Sequence, residues 1–279
     1  MKTLKDKVVA ITGAGSGIGR ATALELASMG CPLALADMDE NNLNETAAQC
    51  CRFKIKTIGT VLNVADRNAV YKWAHATQQT FGKVNIIINN AGVSLAGTTE
   101  DVDYTDFEWL MNINFWGVVY GTKAFLPYLK QSGEGHIVNV SSLFGIIAFP
   151  TSCAYNASKF AVRGFTESLR LQLEIENIPV KATCVCPGGV ATNIVHSGRI
   201  VLNENWGLTD GRLSGKEFKS RARTTPRQAA VDIVNGIRND RARILIGADA
   251  KVFDAVQRIL PSHYQGIIAR MFKRRFKER

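Results

Sequence analysis

Two stretches of this chain hold residue types whose spacing could do chemistry. The first is Thr12-Gly13-Ala14-Gly15-Ser16-Gly17-Ile18-Gly19, between an apolar β-branched run and a segment of helical period. Glycine tolerates positive φ and close backbone approach, and a helix start offers unpaired N–H groups with a partial positive charge. A strand, a tight turn and a helix N-terminus in succession make an anion site suited to a pyrophosphate. Position 18 is Ile, so the pattern is G-x-x-x-G-x-G on Gly13, Gly17 and Gly19. Asp37 ends the next apolar run, where a carboxylate can accept hydrogen bonds from adenosine ribose hydroxyls. The blander reading is a solvated acid opening a loop, since Asp39 and Glu40 follow. Two unit charges about 4 Å apart at an effective dielectric near 20 interact by roughly 4 kcal/mol. Neither Ser16 nor Met38 offers a cation to a 2′-phosphate, so NAD is favoured over NADP.

The second stretch is Ser152-Cys153-Ala154-Tyr155-Asn156-Ala157-Ser158-Lys159. Tyr155 and Lys159 stand four apart in a helical segment and share one face. A free phenol titrates near 10, and lowering that by about 3 units takes about 4 kcal/mol of preferential phenolate stabilisation. Nearby positive charge supplies it: the lysine ammonium and, in an oxidised dinucleotide, the nicotinium.

These stretches occur in one order with Asn89-Asn90-Ala91-Gly92, Asn114 in Asn-Ile-Asn-Phe-Trp-Gly, Ser142 in Val-Asn-Val-Ser-Ser, and Pro187-Gly188-Gly189-Val190-Ala191-Thr192. Together they resemble the short-chain dehydrogenase/reductase family over about residues 5 to 248. The resemblance implies a Rossmann fold and a role for each matching residue. Tyr155 would give or take the substrate hydroxyl proton, and Lys159 would lower its pKa while holding the nicotinamide ribose. Ser142 would orient the substrate oxygen, and Asn114 would hold a water linking Lys159 to solvent. Thr192 and the backbone of Val190 would hold the nicotinamide carboxamide. The implied cofactor set is Gly13, Ser16, Gly17, Ile18, Gly19, Asp37, Asn63, Val64, Asn90, Ala91, Gly92, Tyr155, Lys159, Pro187, Gly188, Val190 and Thr192; the substrate set is Ser142, Leu143 and Tyr155. Three alternatives stay open: Ser141 facing the site in place of Ser142, Asn114 serving a helix irregularity, and Thr192 as loop surface. One position departs from the family pattern. Where an acid usually meets the adenine amino group, this chain has Asn63 and then Val64, whose amide oxygen would accept without charge assistance.

The elements that must position these residues follow from periodicity. Short apolar runs alternate with helical segments, the signature of an α/β doubly wound parallel sheet covered on both faces. Seven strands are predicted near Lys7–Thr12, Pro32–Ala36, Lys56–Leu62, Val84–Asn89, Gly135–Ser141, Pro179–Val185 and Arg243–Ile246. Helices fill Ile18–Met29, Asn41–Cys51, Arg67–Phe81, Thr105–Gln131, Ser152–Asn177 and Pro226–Asn239. The long polar connection Ala191–Thr225 reads as a substrate loop. One dinucleotide-binding and catalytic domain is expected over 1–249, with 250–279 a basic amphipathic extension that is no separate domain.

Composition narrows the classes. The 279 residues, 46% apolar and 21% charged, can bury a large core and exclude disorder. No apolar run spans a bilayer and no signal peptide is visible, so a cytoplasmic location is expected. The net charge is +10. Much of the excess sits in Arg270, Lys273, Arg274, Arg275, Lys277 and Arg279, and no nucleic-acid motif accompanies it. The six cysteines (31, 50, 51, 153, 184, 186) lack zinc-type spacing, so no metal site is expected and they read as small core hydrophobes.

Leu143, Phe144 and Phe149, with Ser94, Leu95, Val195 and Trp206, point to a hydrophobic pocket. Thr105–Gln131 is apolar around most of its circumference, and the family commonly buries this helix against a twin subunit, so a homodimer or homotetramer is expected. Beyond 250, two short helices split by Pro261 either cap the cleft or a neighbouring subunit, lie on an anionic membrane, or end in a mobile tail. The expected function is an NAD(H)-dependent oxidoreductase moving hydride between nicotinamide and a hydrophobic secondary alcohol or ketone: lipid-like, steroid-like or long-chain. The alternatives are an NADPH-dependent 3-oxoacyl thioester reductase and a non-catalytic NAD-binding regulator.

Overall fold

The computed structural model describes residues 1–192, 194, 198–206, 208 and 223–277, with backbone alone for 274–277. Its centre is a seven-stranded sheet, all pairs parallel, in the order β3-β2-β1-β4-β6-β7-β9. The strands are β1 (Val9–Thr12), β2 (Leu33–Asp37), β3 (Thr57–Val61), β4 (Ile86–Asn89), β6 (Gly135–Val140), β7 (Val180–Pro187) and β9 (Arg243–Ile246). All seven predicted strands are present, displaced by at most two residues at an end.

Continuous apolar runs form the central strands because both faces are covered, while the edge strand β3 is more open. On β1, Val9 and Ile11 join Leu26, Ile233 and Val234 on one side, while Ala10 joins Trp73, Phe125 and Leu129 on the other. The covering helices are α1 (Gly17–Ser28), α2 (Glu40–Cys51), α3 (Arg67–Phe81), α4 (Tyr104–Met111), α5 (Gly117–Gln131), α6 (Cys153–Ile175) and α7 (Pro226–Arg238). Asp39, Asp66, Asp103 and Thr225 start α2, α3, α4 and α7 by accepting the third N–H beyond them.

Strand order reverses between β1 and β4, and a crevice opens at the carboxyl ends of the strands beside that switch. The site residues described next stand on strand ends or loops at that rim, or on helices leading from it.

Three features differ from the sequence reading. The single helix expected over Thr105–Gln131 is two, joined by a π turn at Asn112–Trp116. Hydrophobic periodicity is blind to one extra residue in a turn, so the pattern runs through unbroken. A second small sheet pairs β5 (Leu95–Ala96) with β8 (Arg199–Ile200), pinning part of the 191–225 connection against the crevice. Two-residue strands carry no period to read. Cys51 is exposed and Cys153 half-buried, so only Cys31, Cys50, Cys184 and Cys186 are core residues.

The extension forms α8 (Ala248–Ile259) and α9 (Tyr264–Lys277), divided at Pro261 as expected. It packs on the domain: Tyr264 and Ile268 are buried with Leu143, Ile146 and Ile147, and Tyr264 Oη accepts the Ala148 N–H at 3.2 Å. No helix among the described residues is long and apolar enough to cross a membrane.

Candidate active site

The crevice is one continuous cleft of about 1090 Å³, running from Asp37, Met38 and Asp39 at one end to Phe144, Phe149 and Phe253 at the other. Its first part is the glycine turn. Gly13 (φ 65°) and Gly17 (φ 53°) take left-handed conformations that L side chains avoid. A Cβ at Gly19 would overlap the Gly13 carbonyl, and one at Gly13 would come within 2.8 Å of Ala91 Cα. Asn90 sets this geometry from below, its Nδ2 donating to the carbonyls of Thr12 (3.0 Å) and Gly13 (3.1 Å). Thr12 Oγ1 accepts the N–H groups of Asn90 and Ala91. The Asn90 side chain thus braces the turn. Ser16 is the N-cap of α1, yet its hydroxyl makes no capping bond, and the first turn of the helix holds no acid. An uncapped helix start with no acid in its first turn, and a cradle that side chains would fill, fit a pyrophosphate.

Asp37 closes the adenosine end. Its Oδ2 accepts the Gly15 N–H at 2.7 Å and its Oδ1 the Asp39 N–H at 3.0 Å, so backbone orients the carboxylate and lone pairs remain for ribose hydroxyls. The neighbouring Arg20 lies outside the cleft lining. Its guanidinium donates to the Gly15 carbonyl and to Asn42 and pairs with Glu45 at 2.8 Å. A 2′-phosphate would therefore meet Asp37 and Asp39 without a free cation. Asn63 Oδ1 already accepts the Ala65 N–H at 3.0 Å, which leaves one lone pair for an adenine amino group. Val64 is buried beside it and lines the cleft. Ile18, Ala91, Gly92, Pro187, Gly188, Val190 and Thr192 line it too. Thr192 faces Gly17, its Cγ2 3.1 Å from where a Cβ there would stand, so the loop after β7 reaches the glycine turn and Thr192 is not idle surface.

At the centre stand Ser142, Tyr155 and Lys159. Ser141 and Ser142 follow β6, and both line the cleft. Ser141 is buried and its hydroxyl donates to the Lys159 carbonyl at 2.7 Å, while Ser142 Oγ accepts the Phe144 N–H at 3.1 Å and acts on the Tyr155 phenol to lower its pKa. The Ser141 hydroxyl is thereby engaged on α6, which favours Ser142 for the substrate oxygen. Gly145 lets the following turn lie on α6, because a Cβ there would overlap the Ser141 hydroxyl.

Lys159 is buried, and its Nζ donates to the Val140 carbonyl at 3.2 Å. It stands 5.6 Å from the centre of the Tyr155 ring. Burial lowers the Lys159 pKa to about 8, opposed by the buried thiols of Cys184 and Cys186. Burial also raises the Tyr155 pKa above its ordinary value, against the lowering effect of Ser142. This qualifies the sequence expectation: in the protein alone, desolvation of the phenol dominates and the amine stands beside its ring. Asn114 stands in the π turn, fully buried. It exchanges two hydrogen bonds with the Val93 backbone, at 2.8 and 2.9 Å. Gly92 lies against both Asn114 Oδ1 and Lys159 Nζ, with its Cβ position 3.1 and 3.3 Å from them. Asn114 therefore belongs to the helix irregularity and stands near Lys159 as well.

The far end is apolar. Phe144 stacks on Phe149 at 4.8 Å and meets Tyr155 edge-on at 5.8 Å, and Phe253 of α8 meets Phe149 edge-on at 6.1 Å. Leu143, Ser94 and Leu95 line this end as expected, joined by Trp109, Ile113 and Ile200. Trp206 does not; it stands on a turn held by Asn203. Val195 lies outside the described residues.

Sequence reasoning passed over two further parts. Asp249, in the first turn of α8, accepts the Gly189 N–H at 2.6 Å and lines the cleft. Beneath the site, Asn89 donates to Asn139 (2.8 Å) and Thr122 (3.2 Å), and Asn139 to Thr166 (3.0 Å), tying β4 and β6 to α5 and α6. Asn89 and Asn139 each stand inside a predicted strand, where a polar residue facing a helix is the visible signal.

Comparison with known proteins agrees with this geometry. The family model for short chain dehydrogenases matches residues 7–200. The Mycobacterium tuberculosis protein SadH, assigned as an oxidoreductase, is 44% identical over 272 residues, 96% of each chain. Human estradiol 17-beta-dehydrogenase 11 is 30% identical over 276 residues, covering 99% of this chain and 86% of the relative. A Burkholderia phymatum short chain dehydrogenase/reductase, solved in complex with NAD, superposes with a TM-score of 0.83 at 31% identity, over 92% of this chain and 95% of that one.

Proposed function

The chain belongs to the short chain dehydrogenase family of oxidoreductases, and from that premise we propose that it uses NAD(H) to interconvert a hydrophobic secondary alcohol and its ketone. The observation that carries this reading is the continuity of the cleft from the Asp37 carboxylate to the Phe144, Phe149 and Phe253 wall, with Ser142 and Tyr155 between. Asp37 and Asp39 without a free cation favour NAD over NADP. The Burkholderia relative with NAD supports the same choice.

Nicotinamide, when bound, supplies the acceptor or donor of the hydride. The chain does the rest. The glycine turn and the α1 N-terminus hold the pyrophosphate, Asp37 the adenosine ribose, and Val190 and Thr192 the carboxamide. Ser142 donates to the substrate oxygen. Tyr155 Oη takes the alcohol proton during oxidation and returns it during reduction. Burial keeps the phenol protonated in the protein alone, which suits the donor role. Lys159 holds the nicotinamide ribose and adds positive charge beside the Tyr155 ring. Asn114, beside Lys159, would hold a water that passes the proton to solvent.

The stacked aromatic wall suits a flat or long apolar substrate, steroid-like or lipid-like. The estradiol 17-beta-dehydrogenase relative supports the steroid-like choice. Trp116 is exposed at the end of the π turn and Phe160, Leu171 and Ile175 on α6, apolar surface that a twin subunit would cover in a homodimer or homotetramer. The test follows reduced nicotinamide by absorbance over sterols, long-chain alcohols and 3-hydroxyacyl thioesters, each with NAD and NADP. Turnover of an apolar alcohol with NAD is expected. Thioester turnover with NADP alone would overturn the reading.

A further inference from the structure

We propose that the outward face of α8 and α9 docks on a bilayer surface containing anionic phospholipid. The proposal rests on these two helices and not on the identity of the substrate.

Each helix has already spent an apolar face on the domain. Phe253 and Val256 of α8, and Tyr264, Ile268 and Phe272 of α9, pack against the turn that follows Ser142. Asp254 locks α8 in place, accepting from Arg243 at 3.1 Å and Arg258 at 2.7 Å. A soluble helix needs no apolar residues beyond that face. Yet Val252 is 58% exposed, Ile259 77%, Ile267 44% and Met271 60%. Ile267 and Met271 stand one turn apart and form a ridge, with the exposed Arg270 and Lys273 in the same turns.

Charge selects the occupant. Residues 250–279 hold eight lysines and arginines against Asp254 and Glu278, a net +6 of the whole chain's +10. A second copy docking symmetrically through this face would oppose two such charges. An anionic lipid surface neutralises them while its acyl boundary accepts the ridge. Because Phe253 lines the cleft from the inner side of α8, docking sets one wall of the active site against the membrane.

The test uses the full chain pelleted with vesicles of phosphatidylcholine, with or without phosphatidylglycerol, at about 0.1 M and about 1 M salt, where the screening length falls from ~10 to ~3 Å. Binding is expected about tenfold tighter to the anionic vesicles at low salt and lost at high salt. Ile267→Ser with Met271→Ser, and separately Arg270→Glu with Lys273→Glu, should each weaken it about tenfold with an unchanged unfolding transition. Met271→Ser alone serves where the double variant fails to fold. Equal binding to neutral vesicles, no binding to either, or full binding by the variants overturns the proposal. So does a fall in the oligomer's mass in these variants, which would assign the face to a second copy.

Discussion

The Lys159 ammonium stands over the ring of Tyr155, 5.6 Å from its centre, and is anchored to the Val140 carbonyl. Burial of the phenol dominates its titration and raises its pKa. The shift that makes Tyr155 a base must therefore come with the cofactor's positive ring. We expect the Tyr155 phenolate signal, taken as the ultraviolet difference between wild type and Tyr155→Phe, to appear above pH 10 without cofactor and below it with NAD⁺. Tyr155→Phe should lose turnover by about 10²- to 10⁴-fold while still binding NADH. Retained turnover would remove Tyr155 from the proton path.

Asp37 both repels a 2′-phosphate and holds the Gly15 N–H. Asp37→Ser should lower kcat/KM for NAD and raise that for NADP relative to it, shifting the ratio about a hundredfold, part of the roughly 4 kcal/mol of repulsion. Steady-state kinetics with the two cofactors measure this. An unchanged ratio would mean that discrimination lies elsewhere.

Asp249 reaches from α8 to the Gly189 N–H, on the loop that carries Val190 and Thr192. A hydrogen bond to a charged group is worth about 1.5 to 3 kcal/mol. Asp249→Ala should weaken NADH binding at least about tenfold, seen by fluorescence titration, and Asp249→Asn, which keeps an acceptor, should weaken it less. Equal binding by both variants and wild type would reduce the contact to a helix-start ornament.

His136 is buried in β6 with Nε2 2.7 Å from Thr183 Oγ1, and desolvation lowers its pKa to about 4 from 6.5. The unfolded chain takes up this proton below pH 6.5, the folded one not until about 4, so His136 removes stability as pH falls through that window. At about 1.4 kcal/mol per unit the loss approaches about 3 kcal/mol. Urea unfolding across the window should show a shallower decline for His136→Gln. Parallel declines would place the acid sensitivity in the carboxylates.

The chemistry-bearing residues were legible from local order: Gly13 to Gly19 from turn stereochemistry, Asp37 from its place after an apolar run, Tyr155 and Lys159 from a spacing of four. The strands were legible because β1 to β9 of the main sheet are apolar runs bounded by turn residues. The π turn at Asn112–Trp116, the pairing of Leu95–Ala96 with Arg199–Ile200 and the placing of Trp206 off the cleft left no comparable trace.

What the sequence determined by itself is the doubly wound sheet and the order of its site residues, because periodicity, capping and glycine conformations act within a few residues of one another. Tertiary structure alone decided that the Ser141 hydroxyl is spent on the Lys159 carbonyl while Ser142 bears on the phenol. It also decided that Asp249 braces Gly189 from 60 residues away and that α9 lies on the turn after β6. Those outcomes depend on which surfaces meet once apolar faces are buried, and contacts between distant segments write no period into either one.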